Sequence, residues 1–189
     1  VLFNNKLDVL AKYDKNNLVP FGEFLPFENF LSKLGLKKIT QGYNSFSDSL
    51  ERKFISDGKY KFLPLICYEI IYSGKLFTDS NFDLIINISE DGWFGKSIGP
   101  KQHFSHSIFR AIESGKYVVR SSNNGIAAII NPLGVVEQNI EFGKSGYIDL
   151  NKIKKIKPTL FSQYGNKIFV LLILLYIFLI LLLNKIKNE

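Results

Sequence analysis

The spacing of apolar positions divides the chain into three unlike stretches. From about residue 60 onward, short apolar runs alternate with helical patterns. Phe62 to Ile66 and Phe82 to Ile88 read as buried strands, and Gln102 to Gly115 sets Phe104, Ile108, Ala111 and Ile112 on one helical face, with Gly115 as a stop. Tyr117 to Val119, Gly125 to Ile130, Val135-Val136 and Tyr147 to Leu150 predict further strands, and Asn131-Pro132-Leu133-Gly134 suits a hairpin turn. Alternating strands and helices followed by hairpins imply α/β layers with a mixed sheet. Upstream, Leu18 to Phe27 is apolar, but Pro20, Gly22 and Pro26 forbid a regular helix or a central strand, so an ordered loop is expected. Residues 36–59 are polar and turn-rich, which predicts a loop with a hairpin edge.

Downstream, every residue from Ile168 to Leu183 is apolar. As a helix this run is about 24 Å long at ~1.5 Å per residue, and extending it to Tyr164 and Asn184 brings it to the length of a bilayer core. A buried core helix keeps a polar stripe, so a transmembrane helix is predicted over 164–184. The organisation that follows is a catalytic-domain candidate over 1–150, a basic linker over 151–163, the span, and a basic tail over 185–189.

Composition narrows the function. The 189 residues are 46% apolar and 22% charged, which excludes a disordered chain. One cysteine excludes a disulfide framework and a four-thiolate zinc site. The net charge of +7 comes from scattered lysines without aromatic interleaving, so nucleic acid is not an expected partner. Lys152, Lys154, Lys155 and Lys157 are the exception, because they precede the span, where each contributes about 1 kcal/mol of attraction to anionic lipid. Five lysines before the span (152, 154, 155, 157, 167) and two after it (185, 187) place the large domain in the cytoplasm on a simple positive-inside count. Val1 stands where an open reading frame would start with Met, which suggests missing upstream sequence.

Cys67 ends an apolar strand in Leu65-Ile66-Cys67-Tyr68-Glu69. Backbone N–H groups at a strand-to-helix junction favour a nucleophilic thiol there, although a free cysteine also serves as a small buried hydrophobe. Glu69 follows two residues later, and Glu23 lies among Phe21, Phe24 and Phe27, where a carboxylate needs a partner or a function; Lys15 is close enough to reach the same pocket. Asp91-Gly92-Trp93-Phe94-Gly95 follows the second strand, a usual place for a binding loop. His103 and His106 are three apart on the following helix, but no third ligand is evident, so surface or capping roles are expected and no metal. No G-x-S-x-G elbow occurs, although the sequence leaves a Ser-His-Asp triad open.

Five segments in order resemble the apolipoprotein N-acyltransferases, membrane members of the nitrilase superfamily. They are the run Tyr13-Asp14-Lys15-Asn16-Asn17-Leu18-Val19-Pro20-Phe21-Gly22-Glu23, then Ile66-Cys67-Tyr68-Glu69, then Asn87 to Gly95 with Gly99 to His103, then Arg110-Ala111-Ile112-Glu113, and last Arg120 to Gly125. Many soluble nitrilase relatives carry Asp two residues after the cysteine and lack the Val-Pro-Phe-Gly-Glu run, so Cys-Tyr-Glu, that run and an anchor together select the acyltransferase branch. The resemblance covers roughly residues 10–150.

It implies a nitrilase-like α/β/β/α sandwich, here incomplete at the N-terminus, with a C-terminal transmembrane helix. It implies that Cys67 is the nucleophile, that Lys15 is the catalytic lysine, and that Glu23, Tyr68, Glu69 and Trp93 support the pocket. The implied reaction moves an acyl chain from a phospholipid, through a Cys67 thioester, to the α-amine of a diacylglyceryl-cysteine lipoprotein. No cofactor or metal is implied, and a monomer is expected. The implied location is the bacterial inner membrane with the domain in the periplasm, against the lysine count. The general-base Glu belongs well upstream of the lysine motif, yet only 14 residues precede Lys15 and none is Glu. The expectation is therefore a C-terminal part of a longer enzyme, inactive or nearly so alone. The alternatives are a membrane-tethered amidase and a non-catalytic remnant with the same fold.

Overall fold

The computed structural model describes residues 1–38, 46–49, 51–74 and 81–187. The chain opens with a two-stranded antiparallel ribbon, β1 (Leu2–Phe3) and β2 (Val9–Ala11), which the sequence pattern did not predict. The Leu18 to Phe27 loop follows and ends in the short helix α1 (Glu28–Leu31). The hairpin edge predicted within residues 36–59 is present as β3 (Ile55–Ser56), turning through Asp57–Tyr60 into β4 (Lys61–Ile66); positions 39–45 and 50 of that stretch lie outside the described residues.

A six-stranded sheet carries the rest. After β4 and a short 3-10 helix, Cys67–Ile71, come β5 (Leu84–Glu90), helix α2 (Gly99–Ser114), β6 (Tyr117–Asn123), β7 (Ala127–Ile130) and β8 (Val136–Ile140). Spatial order follows chain order, β3 to β8, with β4, β5 and β6 parallel and the outer pairs antiparallel. Parallel central strands need crossovers, and the 3-10 segment and α2 both lie in them. Their buried runs, Phe62-Leu63-Pro64-Leu65 and Leu84-Ile85, are apolar on both faces, as a covered parallel sheet requires.

One face packs Leu63, Leu65, Ile85, Val118, Ala128 and Ile130 against Ile70, Phe82 and Ala111. The other sets Phe62, Leu84, Tyr117 and Ile129 against Leu2, Ile55, Ile148, Leu150 and Ile153. Tyr147 to Leu150 is therefore not the strand that its pattern predicts. It is an irregular segment laying Ile148 and Leu150 over the sheet, since alternation reports burial on one side and not pairing. The predicted hairpin turn joins β7 to β8, where Asn131 Oδ1 accepts the amides of Leu133 and Val135 and Gly134 takes φ 81°.

Helix α2 departs from its predicted face. Ala111 is buried and Phe104 and Ile108 are half-buried, but Ile112 is 40% exposed. The stripe turned inward is Pro100, His103, Ser107, Arg110, Ala111 and Ser114, mostly polar. Polar groups on the neighbouring strands and turns supply the partners that make this burial tolerable.

At the C-terminal end of α2, Gly115 caps with φ 66° and donates to Ala111 and Ile112. The predicted linker is packed here, because Ile156 N–H donates to Gly115 O and Thr159 N–H to Glu113 O. Helix α3 (Leu160–Tyr164) follows, Gly165 breaks the chain at φ 53°, and α4 (Lys167–Lys187) runs for 21 residues. The predicted 164–184 span thus begins with the last residue of α3, and the continuous helix starts at Lys167. Helix α4 has mean hydropathy 2.8, buries none of its apolar window, and at about 1.5 Å per residue is about 31 Å long, enough to cross a membrane by length and composition.

A β-carbon at position 115 would lie 2.5 Å from Ile156 O and 2.9 Å from Lys157 O, both main-chain atoms. Gly115→Ala therefore meets left-handed strain and a backbone clash together. We expect it to destabilise the chain by more than about 1 kcal/mol, read as a fall in thermal midpoint of several degrees in detergent. Lys144→Ala, which removes only a surface pair with Glu141, should leave the midpoint within about 1 °C of the parent.

Candidate functional site

Cys67 sits where β4 ends and the 3-10 helix begins, half-buried, with φ 51°. A left-handed β-carbon costs an L-residue roughly 1–2 kcal/mol, so this backbone persists only because its neighbours hold it. The first amides of the helix, Tyr68 among them, have no intrahelical acceptor.

Two residues on, the Glu69 side chain is wholly buried. Its Oε2 accepts the Ile66 amide at 2.8 Å, and Tyr13 Oη donates to both carboxylate oxygens at 3.0 Å. Its Oε1 also accepts the amides of Asn16 at 2.9 Å and Asn17 at 3.1 Å, with the Arg52 guanidinium at 3.4 Å. This carboxylate turns away from solvent and ties the Tyr13 to Asn17 segment to the cysteine junction. Burial pushes the Tyr13 hydroxyl well above its ordinary value, with the charge of Glu69 adding to it, so Tyr13 remains a donor. Arg52 also donates to Asn17 Oδ1.

Lys15 lies inside the segment so fixed. Its Nζ donates to both oxygens of Glu23 at 2.7 Å, and Glu23 also accepts the Val19 amide at 2.8 Å. The Lys15 side chain is one-tenth exposed and that of Glu23 one-quarter exposed. Glu23 is therefore paired, as a carboxylate in an apolar loop must be, but not within a cage of phenylalanines. Phe21 and Phe27 both take positive φ and stand exposed. Tyr68 is half-buried edge-on to Tyr72, and Trp93 is 66% exposed on the turn after β5.

A second buried network stands behind Cys67, and His103 belongs to it. Its Nδ1 lies 2.8 Å from Asp91 Oδ1 and its Nε2 3.2 Å from the Cys67 main-chain oxygen, so the expected surface or capping role is corrected. Arg120 donates to Asp91 Oδ2 at 2.7 Å, to the Ile126 carbonyl at 3.2 Å and to Asn87 Oδ1. Asn87 donates in turn to Leu65 O at 3.0 Å, and Ser89 to Asp91 at 2.8 Å. The Arg120 and Asp91 side chains are fully buried. Burial alone would raise the Asp91 carboxyl, but the His103 hydrogen bond and the Arg120 charge hold it far below the carboxylate range. Gly125 packs behind this pair, since a β-carbon there would fall 2.2 Å from Asp91 Oδ2. His106 lies outside the network, edge-on to Phe109. Among the described residues no group of three or more His, Cys, Asp or Glu could hold a metal ion.

The six residues named from the sequence thus fall into three settings. Cys67, Tyr68 and Glu69 form the junction, Lys15 and Glu23 are joined to it through Glu69, and Trp93 stands on a separate turn. Sequence reading missed Tyr13, Arg52, Asn87, Asp91, His103 and Arg120 as structural partners of this site. The available signals were Asn87 inside an apolar strand and the helical spacing of His103, Ser107, Arg110 and Ser114.

The chain is similar to known proteins. The chain is 40% identical over 190 aligned positions to an apolipoprotein N-acyltransferase of Rickettsia prowazekii (strain Madrid E), covering 98% of this chain and 37% of the relative. It is 45% identical over 186 positions to that of Rickettsia bellii (strain RML369-C), covering 95% of this chain and 36% of the relative. The chain spans little more than a third of the length of these curated relatives. Among solved structures, an amidase from Nesterenkonia sp. superposes with a TM-score of 0.50 at 16% identity, covering 74% of this chain and 49% of that one, which is a likeness of fold. The carbon-nitrogen hydrolase family matches residues 1–157, a stretch holding the lysine loop, the cysteine junction and the whole six-stranded sheet. The α/β nitrilase-like fold read from the motifs is thereby borne out, and the chain belongs to the carbon-nitrogen hydrolase family.

Proposed function

We propose that this chain carries the acyl-transfer half of a lipoprotein N-acyltransferase, with Cys67 as nucleophile and Lys15 as electrophilic partner. The observation that carries this reading is the Glu69 carboxylate, which binds the lysine segment and the cysteine junction to one buried point. Relatives named apolipoprotein N-acyltransferase supply the reaction class.

In the reaction, the Cys67 sulfur attacks the ester carbonyl of a phospholipid. A carbon–sulfur bond forms, and the carbonyl oxygen takes the negative charge beside the Lys15 ammonium and the Tyr68 amide. The ester carbon–oxygen bond then breaks and the lysophospholipid leaves with a proton. The α-amine of a diacylglyceryl-cysteine lipoprotein attacks the thioester, the amide forms, and Cys67 regains its proton. The glutamate that takes and returns these protons is proposed to lie in the part of the relatives that this chain does not span. Glu23 is occupied by Lys15 and the Val19 amide, and Glu69 by five donor groups, so neither is offered as that base.

Helix α4 is proposed as the membrane anchor, holding the domain where both substrates are confined, on the periplasmic face of the inner membrane. Lys152, Lys154 and Lys157 precede it and suit anionic headgroups.

Three measurements test the reading. In the full-length protein with phospholipid and a diacylglyceryl peptide, intact-mass analysis should show an acyl adduct that Cys67→Ser abolishes. Fatty acid released without acylated peptide would make the protein a hydrolase. Lys15→Met should slow adduct formation by about 10²–10³, the usual loss for one oxyanion donor, while Lys12→Met should not slow it. Tyr13→Phe should lower stability by about 1–3 kcal/mol in chemical denaturation, because it removes one donor from a buried carboxylate.

A further inference from the structure

The ring of His103 is buried, and each nitrogen faces an oxygen: Asp91 Oδ1 at 2.8 Å from Nδ1, and Cys67 O at 3.2 Å from Nε2. A carbonyl only accepts, so the contact with Cys67 O requires a proton on Nε2, while Nδ1 stands between the Asp91 carboxylate and the Arg120 guanidinium, the latter at 3.3 Å. Asp91 is itself fixed by Arg120 and Ser89, and Arg120 by Asn87 and Ile126. The imidazole is therefore set in place by two strands, β5 and β6, and delivers one donor to the cysteine's own main chain.

That oxygen belongs to a peptide unit whose other end is the Tyr68 N–H. In a planar trans peptide the C=O and the following N–H point in opposite directions. Whatever holds the Cys67 carbonyl inward therefore aims the Tyr68 amide outward, on the side away from His103. The left-handed φ of 51° at Cys67 gives this peptide plane no support from intrinsic preference. One peptide unit before that, between Leu65 and Ile66, the Ile66 amide is held by Glu69.

We propose that His103 is a positioning residue for acyl transfer: its Nε2–H holds the Cys67 carbonyl and so directs the Tyr68 amide at the oxyanion. The proposal rests on Cys67 being the nucleophile, and it assigns His103 no contact with substrate. Asp91 and Arg120 act one step further back, by fixing the ring.

The test uses the full-length protein in detergent, with modification of Cys67 followed by peptide mass. Two reagents separate the effects. A p-nitrophenyl ester acylates sulfur through an oxyanion, forming the carbon–sulfur bond and expelling p-nitrophenolate. Iodoacetamide alkylates sulfur by displacing iodide, with no oxyanion. A glutamine amide nitrogen lies near the position of histidine Nε2, whereas that of asparagine lies near Nδ1. We expect His103→Asn, which reaches Asp91 but not Cys67 O, to slow acylation about tenfold or more with little change in alkylation. His103→Gln should recover most of the acylation rate. Equal losses in both variants, or none in either, would overturn the proposal, because a ring that only fills space does not distinguish them. A full-length parent protein that is alkylated at Cys67 but never acylated there would overturn the nucleophile reading itself, and this proposal with it.

Discussion

One buried carboxylate organises the region around Cys67. Glu69 accepts from the Ile66 amide on its own segment and from Tyr13, Asn16, Asn17 and Arg52 on two others. An ionised group without water requires such a set, since an uncompensated buried charge costs several kcal/mol. The demand is mutual. The Tyr13 to Asn17 segment has no regular structure and depends on Glu69 for its placement, and Glu69 depends on that segment for its solvation. Losing either would release the segment that carries Lys15 from the cysteine junction. The tie between the lysine segment and the cysteine junction thus runs through a third side chain, that of Glu69.

The same logic extends through the sheet. Asn87, Arg120 and Asp91 lie on or next to the three strands β4, β5 and β6, and each satisfies the next. Such a network fixes the register of its strands more sharply than apolar contacts do, because displacing any member strands a buried polar group. It also explains why α2 turns His103, Ser107 and Arg110 inward. Arg110 donates to Tyr72 O and pairs with Glu113, which accepts the Gly74 amide, so the helix holds the residues that leave the 3-10 helix after Cys67.

Much of this fold was legible because apolar spacing reports burial well. Both central strands, helix α2 with its Gly115 cap, and the Asn131 to Gly134 hairpin lie where the pattern puts them. The misreadings have a common origin. Phe104, Ile108 and Ile112 look like the inner face of α2 only if apolar groups alone are buried, and Tyr147 to Leu150 looks like a strand only if alternation implies pairing. The motif segments drew attention to Cys67, Lys15 and Glu69, but the partners of Glu69 come from positions more than 50 residues away, except Arg52 and Ile66. Spacing along a chain carries no signal for that. His103 was misjudged for the same reason, since its two partners, Asp91 after β5 and the Cys67 carbonyl after β4, are brought to it only when those parallel strands pair and α2 packs over them.

The backbone twist at Cys67 has a consequence for how this protein can change. Glycine alone adopts that conformation freely, so among small residues at position 67 the one best for folding has no sulfur at all. With Cys67 in its proposed role, selection for robustness and selection for chemistry pull in opposite directions at this single codon. A lineage that ceased to need the reaction would be expected to drift there first, gaining thermal tolerance as it lost its thiol.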